Sequence, residues 1–315
     1  MKTENTSGVK TSKKSKRWKI LIISGIVFLG LFVALSFGLA VYVMKGKRQT
    51  LAQAMKWQSE HYDTSFYEPL EKTDYTVTSF DGYELNVQLL KNPVPTDKYV
   101  IISHGHTDNR LGALKYVKMY LDLGFNCIIY DLRGHGLNEP TFTSYGIREG
   151  RDIAELVKDT RSRYPVISQL GLHGESLGAA SSAASLKYKP EVDFVVADCG
   201  FADIDNVLRG AVKKAHMPSF LVDLANFGAT VLYHHSFGSM RPIDSLDENT
   251  VPMLFIHGSE DDFIPPENSQ RMSKRTKGYS EVRLIEGASH AFSMLTDPVT
   301  YKRYVEDFLD KVNKH

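Results

Sequence analysis

Leu170–Ala184 reads LGLHGESLGAASSAA, and this stretch decides the fold. A short apolar run comes first, a G-x-S-x-G pattern centred on Ser176 follows, and small residues complete the stretch. This order predicts a buried strand, a sharp turn that carries Ser176, and a helix. Glycines suit such a turn, because the serine backbone is strained there and the helix packs close to the strand. Ser176 is therefore the candidate nucleophile.

The rest of the chain from residue 75 to residue 315 alternates short apolar runs with longer amphipathic runs. The short, β-branched runs are Tyr99–Ser103, Asn126–Asp131, Gln169–His173, Asp193–Asp198 and Pro252–His257. The runs with helical periodicity include Leu111–Leu123, Ile147–Tyr164 and Ser176–Tyr188. This alternation predicts one α/β domain, 75–315, with a parallel sheet covered by helices on both faces. Thr76–Ser79 and Glu84–Leu90, joined through Asp-Gly, predict an antiparallel hairpin ahead of the sheet.

Residues 202–244 interrupt the alternation, because no strand pattern occurs there. Helical pieces are expected at Phe220–Phe227 and Ala229–Tyr233. An insertion of this size beside a sheet edge is often a lid. A packing extension without a gating role is an equally good interpretation.

The N-terminal 44 residues differ from the rest of the chain. Residues 1–19 carry seven Lys or Arg and one Glu, and residues 20–44 carry no charge. A run of this length can cross a bilayer as a helix, whereas the apolar region of a signal peptide is shorter. The larger basic excess precedes the run, so the positive-inside rule makes 1–19 a cytosolic tail of a single-pass membrane protein. Residues 45–74 would be a stalk or a flap, and the domain would be extracellular.

Composition excludes several classes of protein. The chain has 315 residues, of which 42% are apolar and 24% charged, as in ordinary globular proteins. The net charge of the whole chain is +1, so the part after the basic tail is mildly acidic. An acidic body does not fit a nucleic-acid partner, because phosphate contacts need a basic face. No Walker-type or G-x-G-x-x-G loop occurs, so nucleotide binding has no support.

A nucleophilic serine needs a base and an acid, which in this strand–turn–helix setting follow it in the order acid, then histidine. His290, in a small-residue loop after the apolar run Val282–Ile285, is the candidate base. His315 satisfies the same order but is the last residue. The candidate acid is Asp261 or Asp262, both directly after the run that ends at His257.

Three weaker alternatives remain open. Asp198, at the end of another strand, is a third candidate acid, although it could simply cap a turn. The pairs His104/His106 and His234/His235 could suggest a metal site. Neither pair comes with H-E-x-x-H or with cysteine pairs, so turn and lid histidines are the better interpretation.

At these residues the sequence resembles the α/β-hydrolase superfamily. The resemblance consists of five pieces in order: Ser103–His106, Asp131–Gly136, the turn at Ser176, His257–Pro265 and the His290 loop. Within the superfamily it is similar to single-span bacterial serine hydrolases of the prolyl-oligopeptidase and serine-aminopeptidase branch. The resemblance implies an eight-stranded sheet. Together with the patterns above, the expected fold is a mostly parallel α/β-hydrolase sheet with 202–244 as the candidate helical lid and one transmembrane helix in front.

The resemblance also implies roles for individual residues. Ser176 would be the nucleophile, Asp261 the acid and His290 the base, and the backbone N–H groups of His106 and Leu177 would form the oxyanion hole. Within the pattern H-G-x-x-D-x-x-V-P, counted from His257, the acid falls on Asp261. No metal and no organic cofactor are expected.

The expected activity is acyl transfer to water through an acyl-enzyme, with a small-molecule ester or thioester as substrate. A serine exopeptidase or amidase acting on short peptides is the alternative within the same chemistry. A non-catalytic, membrane-anchored binding protein on the same fold is the alternative of a different class. All three triad positions hold competent residues, which favours an enzyme.

Overall fold

The computed structural model describes residues 8–314, and side chains from residue 16 onward. The α-helices of these residues are α1 (Gly8–Lys45), α2 (Leu51–His61), α3 (Leu114–Asp122), α4 (Ile147–Arg163), α5 (Leu177–Ser185), α6 (Ile204–Lys214), α7 (Phe220–Tyr233), α8 (Glu267–Arg275), α9 (Ser293–Thr296) and α10 (Pro298–Val312). The strands are β1 (Lys72–Thr78), β2 (Glu84–Leu90), β3 (Lys98–Ser103), β4 (Asn126–Tyr130), β5 (Gln169–Glu175), β6 (Phe194–Asp198), β7 (Met253–Gly258) and β8 (Ser280–Ile285). His315 and residues 1–7 of the predicted tail lie outside the described residues.

The eight strands form one sheet in the order β1-β2-β4-β3-β5-β6-β7-β8. β1 and β2 form the predicted antiparallel hairpin, and β2 also runs antiparallel to β4. From β4 to β8 every neighbouring pair is parallel. The prediction of a mostly parallel, eight-stranded α/β-hydrolase sheet is confirmed.

The central strands are mostly apolar because helices cover both faces of the sheet. In β3, Val100 and Ile102 belong to the apolar cluster that contains residues of α3 and α10. Ile101 belongs to the cluster on the other face, with residues of α4 and α5. Successive side chains of a strand point to opposite faces, so a strand covered on both sides has no exposed position to fill with polar residues.

The two cysteines lie on different strands. Cys127 is in β4, and Cys199 follows β6, with β3 and β5 between them in the sheet. Both thiols are buried and free.

The segment 202–244 is helical, with α6 and α7 and two short 3-10 turns. The expectation of two separate pieces at Phe220–Phe227 and Ala229–Tyr233 was wrong, because α7 is one continuous helix. Gly228 does not interrupt α7, because it lies where the helix meets α1. A Cβ atom on Gly228 would lie 2.2 Å from the carbonyl oxygen of Ser36. The glycine therefore allows the two helices to approach closely.

α1 extends beyond the predicted span of 20–44 at its N-terminal end, and it is long and apolar enough to cross a membrane. Its C-terminal half packs against the domain, where Ser36, Ala40 and Met44 are buried. α2, within the segment 45–74, also packs on the domain through buried Ala54 and Gln58. The chain between α1 and β1 is therefore part of the folded body.

Candidate active site

Ser176 lies on the sharp turn between β5 and α5. Its backbone is strained, with φ 51° and ψ −109°. The two flanking glycines are required by close contacts. A Cβ atom on Gly174 would lie 2.3 Å from the carbonyl carbon of Gly178, and one on Gly178 would lie 2.2 Å from the carbonyl oxygen of Ser103. The G-x-S-x-G pattern therefore allows α5 to begin directly after β5, with the serine at the carboxyl end of that strand.

The carboxyl ends of the parallel strands bring three predicted residues together. Ser176 Oγ lies 3.0 Å from His290 Nε2, and His290 Nδ1 lies 2.7 Å from Asp261 Oδ2. A carboxylate only accepts hydrogen bonds, so His290 Nδ1 carries the hydrogen and Nε2 accepts from the serine hydroxyl. Ser176 is 8% exposed, and the His290 side chain is 21% exposed. This arrangement can activate a hydroxyl as a nucleophile.

Asp261 is held in place by more than His290. Its Oδ1 accepts from the backbone N–H of Ile264 at 2.8 Å and of Phe263 at 3.1 Å. His257 Nε2 lies 3.1 Å from Oδ2. Burial alone would raise the pKa of Asp261, but the hydrogen bonds from His257 and His290 outweigh burial and hold the pKa below its usual range. The carboxylate therefore stays ionised at neutral pH.

The other candidate acids lie elsewhere. The Asp262 side chain is 73% exposed and pairs with Lys214 of α6. Asp198 is fully buried, and its Oδ2 accepts from Tyr116 at 2.9 Å rather than from His290. Burial is the main cause that raises the pKa of Asp198 to about 6.

The turn after β3 carries His106 past the serine. A Cβ atom on Gly105 would lie 3.8 Å from Ser176 Cβ, so this turn runs directly beside the nucleophile. Leu177 is the first residue of α5, and its N–H belongs to the N-terminus of that helix. The two predicted oxyanion donors therefore belong to the two segments that flank Ser176.

Arg48 was not identified from the sequence as a site residue, because it counted only as a basic flank of the apolar run. It reaches from the end of α1 to the turn after β3, where Nη1 lies 3.1 Å from His106 Nδ1. It also contacts His135 Nε2, and it donates to Thr143 Oγ1 at 2.7 Å. Burial is the main cause that lowers the pKa of His106 to about 3, so its ring is neutral and can accept from Arg48.

Lys115 was also missed, since a lysine within an amphipathic run usually faces solvent. It is buried and forms an ion pair with Glu175, the residue before the serine. Lys115 Nζ also donates to the carbonyl oxygen of Ala291 at 3.1 Å, beside His290. Only the long-range fold brings this lysine to the site, so no local pattern could reveal it.

The pair His104 and His106, considered for metal binding, has other partners. His104 Nδ1 donates to the carbonyl oxygen of Gly105 at 2.7 Å, and Nε2 accepts from the N–H of Leu132 at 2.9 Å. Burial lowers the pKa of His104 to about 4. In the described residues the side chains of Cys199, Asp261 and His290 offer ligand atoms within 4.8 Å of one another. Asp261 and His290 bond each other there, and burial raises the pKa of the Cys199 thiol well above its usual range, so that thiol is neutral.

Comparisons with known proteins agree with this architecture. The chain is 31% identical over 301 residues to the uncharacterized protein YqkD of Bacillus subtilis, covering 94% of this chain and 98% of that protein. The Pyrococcus furiosus esterase Pf2001 superposes with a TM-score of 0.64 and 25% identity, covering 77% of this chain and 91% of that chain. The acylaminoacyl peptidase of Pyrococcus horikoshii, at 14% identity and a TM-score of 0.60, shares the fold over 78% of this chain and 42% of that chain.

The profile of the prolyl oligopeptidase family matches residues 113–315, which include Ser176, Asp261 and His290. The match covers more than half of the chain, and the esterase and peptidase neighbours are both hydrolases by name. The chain is a hydrolase with the α/β-hydrolase fold, and it belongs to the prolyl oligopeptidase family.

Proposed function

We propose that the protein is a membrane-anchored serine hydrolase that cleaves carboxylic esters or thioesters through an acyl-enzyme. The observation that carries the proposal is the unbroken hydrogen-bond chain from Ser176 through His290 to Asp261. A serine hydroxyl is a weak nucleophile without an adjacent base, and this chain supplies both the base and the group that orients it.

In this mechanism His290 Nε2 takes the proton of Ser176 as its Oγ attacks the substrate carbonyl. The oxyanion that forms is stabilised by the N–H groups of His106 and Leu177, which need no reorganisation as charge develops. His290 then protonates the leaving alcohol or thiol, and the acyl-enzyme forms. A water molecule activated by His290 hydrolyses the acyl-enzyme and restores Ser176.

Asp261 holds the His290 ring in the required tautomer and stabilises the imidazolium. The hydrogen bonds from His257 and from the backbone at Ile264 support this role, since they fix both carboxylate oxygens. They also favour the ionised carboxylate, which is the form that can accept from His290.

An ester is the preferred substrate class because the esterase Pf2001 is the more similar of the two solved hydrolases compared above, at 25% identity. A serine exopeptidase or amidase is the second candidate, and the family name supports it. The membrane anchor would be α1, and its basic N-terminal flank supports an extracellular domain under the positive-inside rule.

Labelling of the full-length protein with a fluorophosphonate probe tests the proposal. Wild type should be labelled, Ser176→Ala should not, and Ser162→Ala, an exposed serine of α4, should be labelled like wild type. Unlabelled wild type that is correctly folded would favour a non-catalytic binding protein. Kinetics with p-nitrophenyl esters and aminoacyl anilides, compared on one preparation, would rank esterase above peptidase or reverse that order.

A further inference from the structure

The helix α7 presents an apolar surface that the described residues do not cover. Phe220 is 55% exposed, Phe227 44% and Val231 47%, and these three residues lie on one side of the helix. An exposed apolar stripe of this size marks a contact with another apolar phase or partner.

The polar side chains of α7 have partners within the protein. Asp223 accepts from Arg209 of α6 at 2.7 Å, and Asn226 Oδ1 accepts from the N–H of Phe237 at 2.7 Å. Thr230 Oγ1 donates to the carbonyl oxygen of Asn226 at 2.8 Å. Asn226 and Thr230 are therefore satisfied internally, as polar groups that face hydrocarbon must be. The Asp223 side chain is 62% exposed, so its ion pair needs water or lipid headgroups around it.

The packing of α7 on α1 sets the depth of this surface. The Phe227 ring lies 5.4 Å from the Phe32 ring, measured between centroids. A hydrocarbon core of about 30 Å takes about 20 helical residues. Counted from Lys19, those residues end near Leu39, so Phe32 lies about 10 Å inside that boundary. If the core instead ends at Lys45, Phe32 and its partner lie about 20 Å deep.

The candidate active site begins where α1 ends. A Cβ atom on Gly46 would lie 3.0 Å from His106 Nε2, and the N–H of Gln49 donates to the carbonyl oxygen of Thr107 at 2.8 Å. Four residues of extended chain span at most about 14 Å. With the 2.8 Å hydrogen bond added, the turn that carries His106 and Thr107 lies within about 17 Å of Lys45, the last residue of α1.

We propose that α7 lies in the leaflet next to the domain, and that the site acts on acyl esters of membrane lipids. The occupant of the apolar stripe is the acyl region of that leaflet, because the stripe continues from a helix that is itself long and apolar enough to cross a bilayer. The lipid substrate follows from the short distance between the end of α1 and the turn that carries His106 beside Ser176. The substrate class rests on the proposed hydrolase activity, and the position of α7 rests on the proposed membrane anchor α1.

Depth-dependent fluorescence quenching tests the position of α7. The full-length chain carrying Val231→Cys is labelled with an NBD maleimide and reconstituted in phosphatidylcholine vesicles that contain doxyl-labelled lipid. Cys127 and Cys199 are buried, so the label goes to the introduced thiol. The matched control is Val166→Cys, which is 71% exposed in the loop before β5. Ser176 follows the other end of the same strand.

We expect quenching and a blue-shifted emission at position 231 and neither effect at position 166. Equal, weak quenching at the two positions would overturn the proposal. It would mean that a second copy or another protein covers α7 instead of lipid.

A chain-length comparison tests the substrate class. In vesicles, the wild-type chain should hydrolyse 4-methylumbelliferyl palmitate with a kcat/KM at least about tenfold above that of the butyrate ester, since methylene burial favours the longer chain. Phe227→Asp combined with Val231→Asp should lose most of the palmitate activity and keep butyrate activity within about twofold. The control is Val94→Asp combined with Val166→Asp. Both positions are exposed, in the loops before β3 and β5, and this variant should behave like wild type.

The outcomes separate the two proposals. Hydrolysis of butyrate without hydrolysis of palmitate in vesicles would overturn the lipid substrate and leave the serine hydrolase standing. If correctly folded wild type hydrolyses neither ester and is not labelled by the fluorophosphonate, the proposed function is overturned. If the α7 variant does not fold, the wild-type ratio of the two esters and the quenching at position 231 still decide.

Discussion

Asp261 and Asp262 are adjacent, yet their surroundings differ completely. Asp261 lies under His290 with both oxygens bonded, and Asp262 lies in solvent beside Lys214. We expect Asp261→Asn to lower kcat by roughly three to four orders of magnitude, because an amide offers the ring the wrong hydrogen-bond partner. The same exchange in chymotrypsin-type proteases lowers kcat by about 10⁴. Asp262→Asn should stay within about tenfold of wild type.

Steady-state ester hydrolysis by the two purified variants checks this ranking, with circular dichroism as the control for folding. The reverse ranking would move the acid to Asp262. Equal, small losses in both variants would mean that neither carboxylate orients His290.

A second aspartate, Asp198, predicts a pH-dependent stability. Burial is the first cause of its raised pKa of about 6, followed by the nearby Glu175, while Tyr116, Lys115 and His257 act in the opposite direction. In the unfolded chain the pKa is about 3.9. The folded state therefore binds this proton more tightly, and its contribution to stability is full below about pH 4 and is lost as the pH rises to about 6.

Asp198→Asn removes this titration. We expect the melting temperature of the variant, relative to wild type, to rise by roughly 2–4 °C between pH 4.5 and pH 7.5. Thermal unfolding of both proteins in the same detergent at the two pH values measures the difference. A constant difference would show that Asp198 does not titrate in this range.

At the scale of elements, the strands of the domain and its helices α3, α4 and α5 could be predicted, because their periodicity is local. The turn at Ser176 and the order of acid and base are also encoded within short stretches of sequence. Contacts between distant elements could not be predicted in this way. The sequence next to Gly228 does not predict that α7 packs on α1. The sequence next to Arg48 does not predict its contact with His106.

The segment between α1 and α2 therefore acts on the site through a side chain. Arg48 contacts the His106 ring, in the turn that carries the proposed oxyanion donor. We expect Arg48→Met to lower kcat for a soluble ester by about tenfold or more with little change in KM, the size of a lost hydrogen bond from a charged donor. Lys47→Met, an exposed neighbour, is the matched control.

Arg48→Lys should restore only part of the rate, because a lysine cannot reproduce the planar fork that reaches three partners. Unchanged kcat in Arg48→Met would show that the turn after β3 needs no support from this side chain. A rise in KM of about tenfold without a fall in kcat would assign Arg48 to substrate binding instead.

At the scale of the whole molecule, the basic residues before α1 predict which side of the membrane the domain occupies. Protease added to intact, wall-stripped cells should cut the domain, whereas a cytosolic control protein should survive. Full protection of the domain until the cells are lysed would place it in the cytosol.

The separation of Cys127 and Cys199 by two strands has a consequence for where the chain can fold. No covalent cross-link is available between these two buried thiols, so folding needs neither an oxidant nor an isomerase. Folding of this domain therefore does not depend on whether the compartment is reducing or oxidising. Its stability comes from packing, hydrogen bonds and ion pairs, and the redox potential on either side of the membrane leaves that stability unchanged.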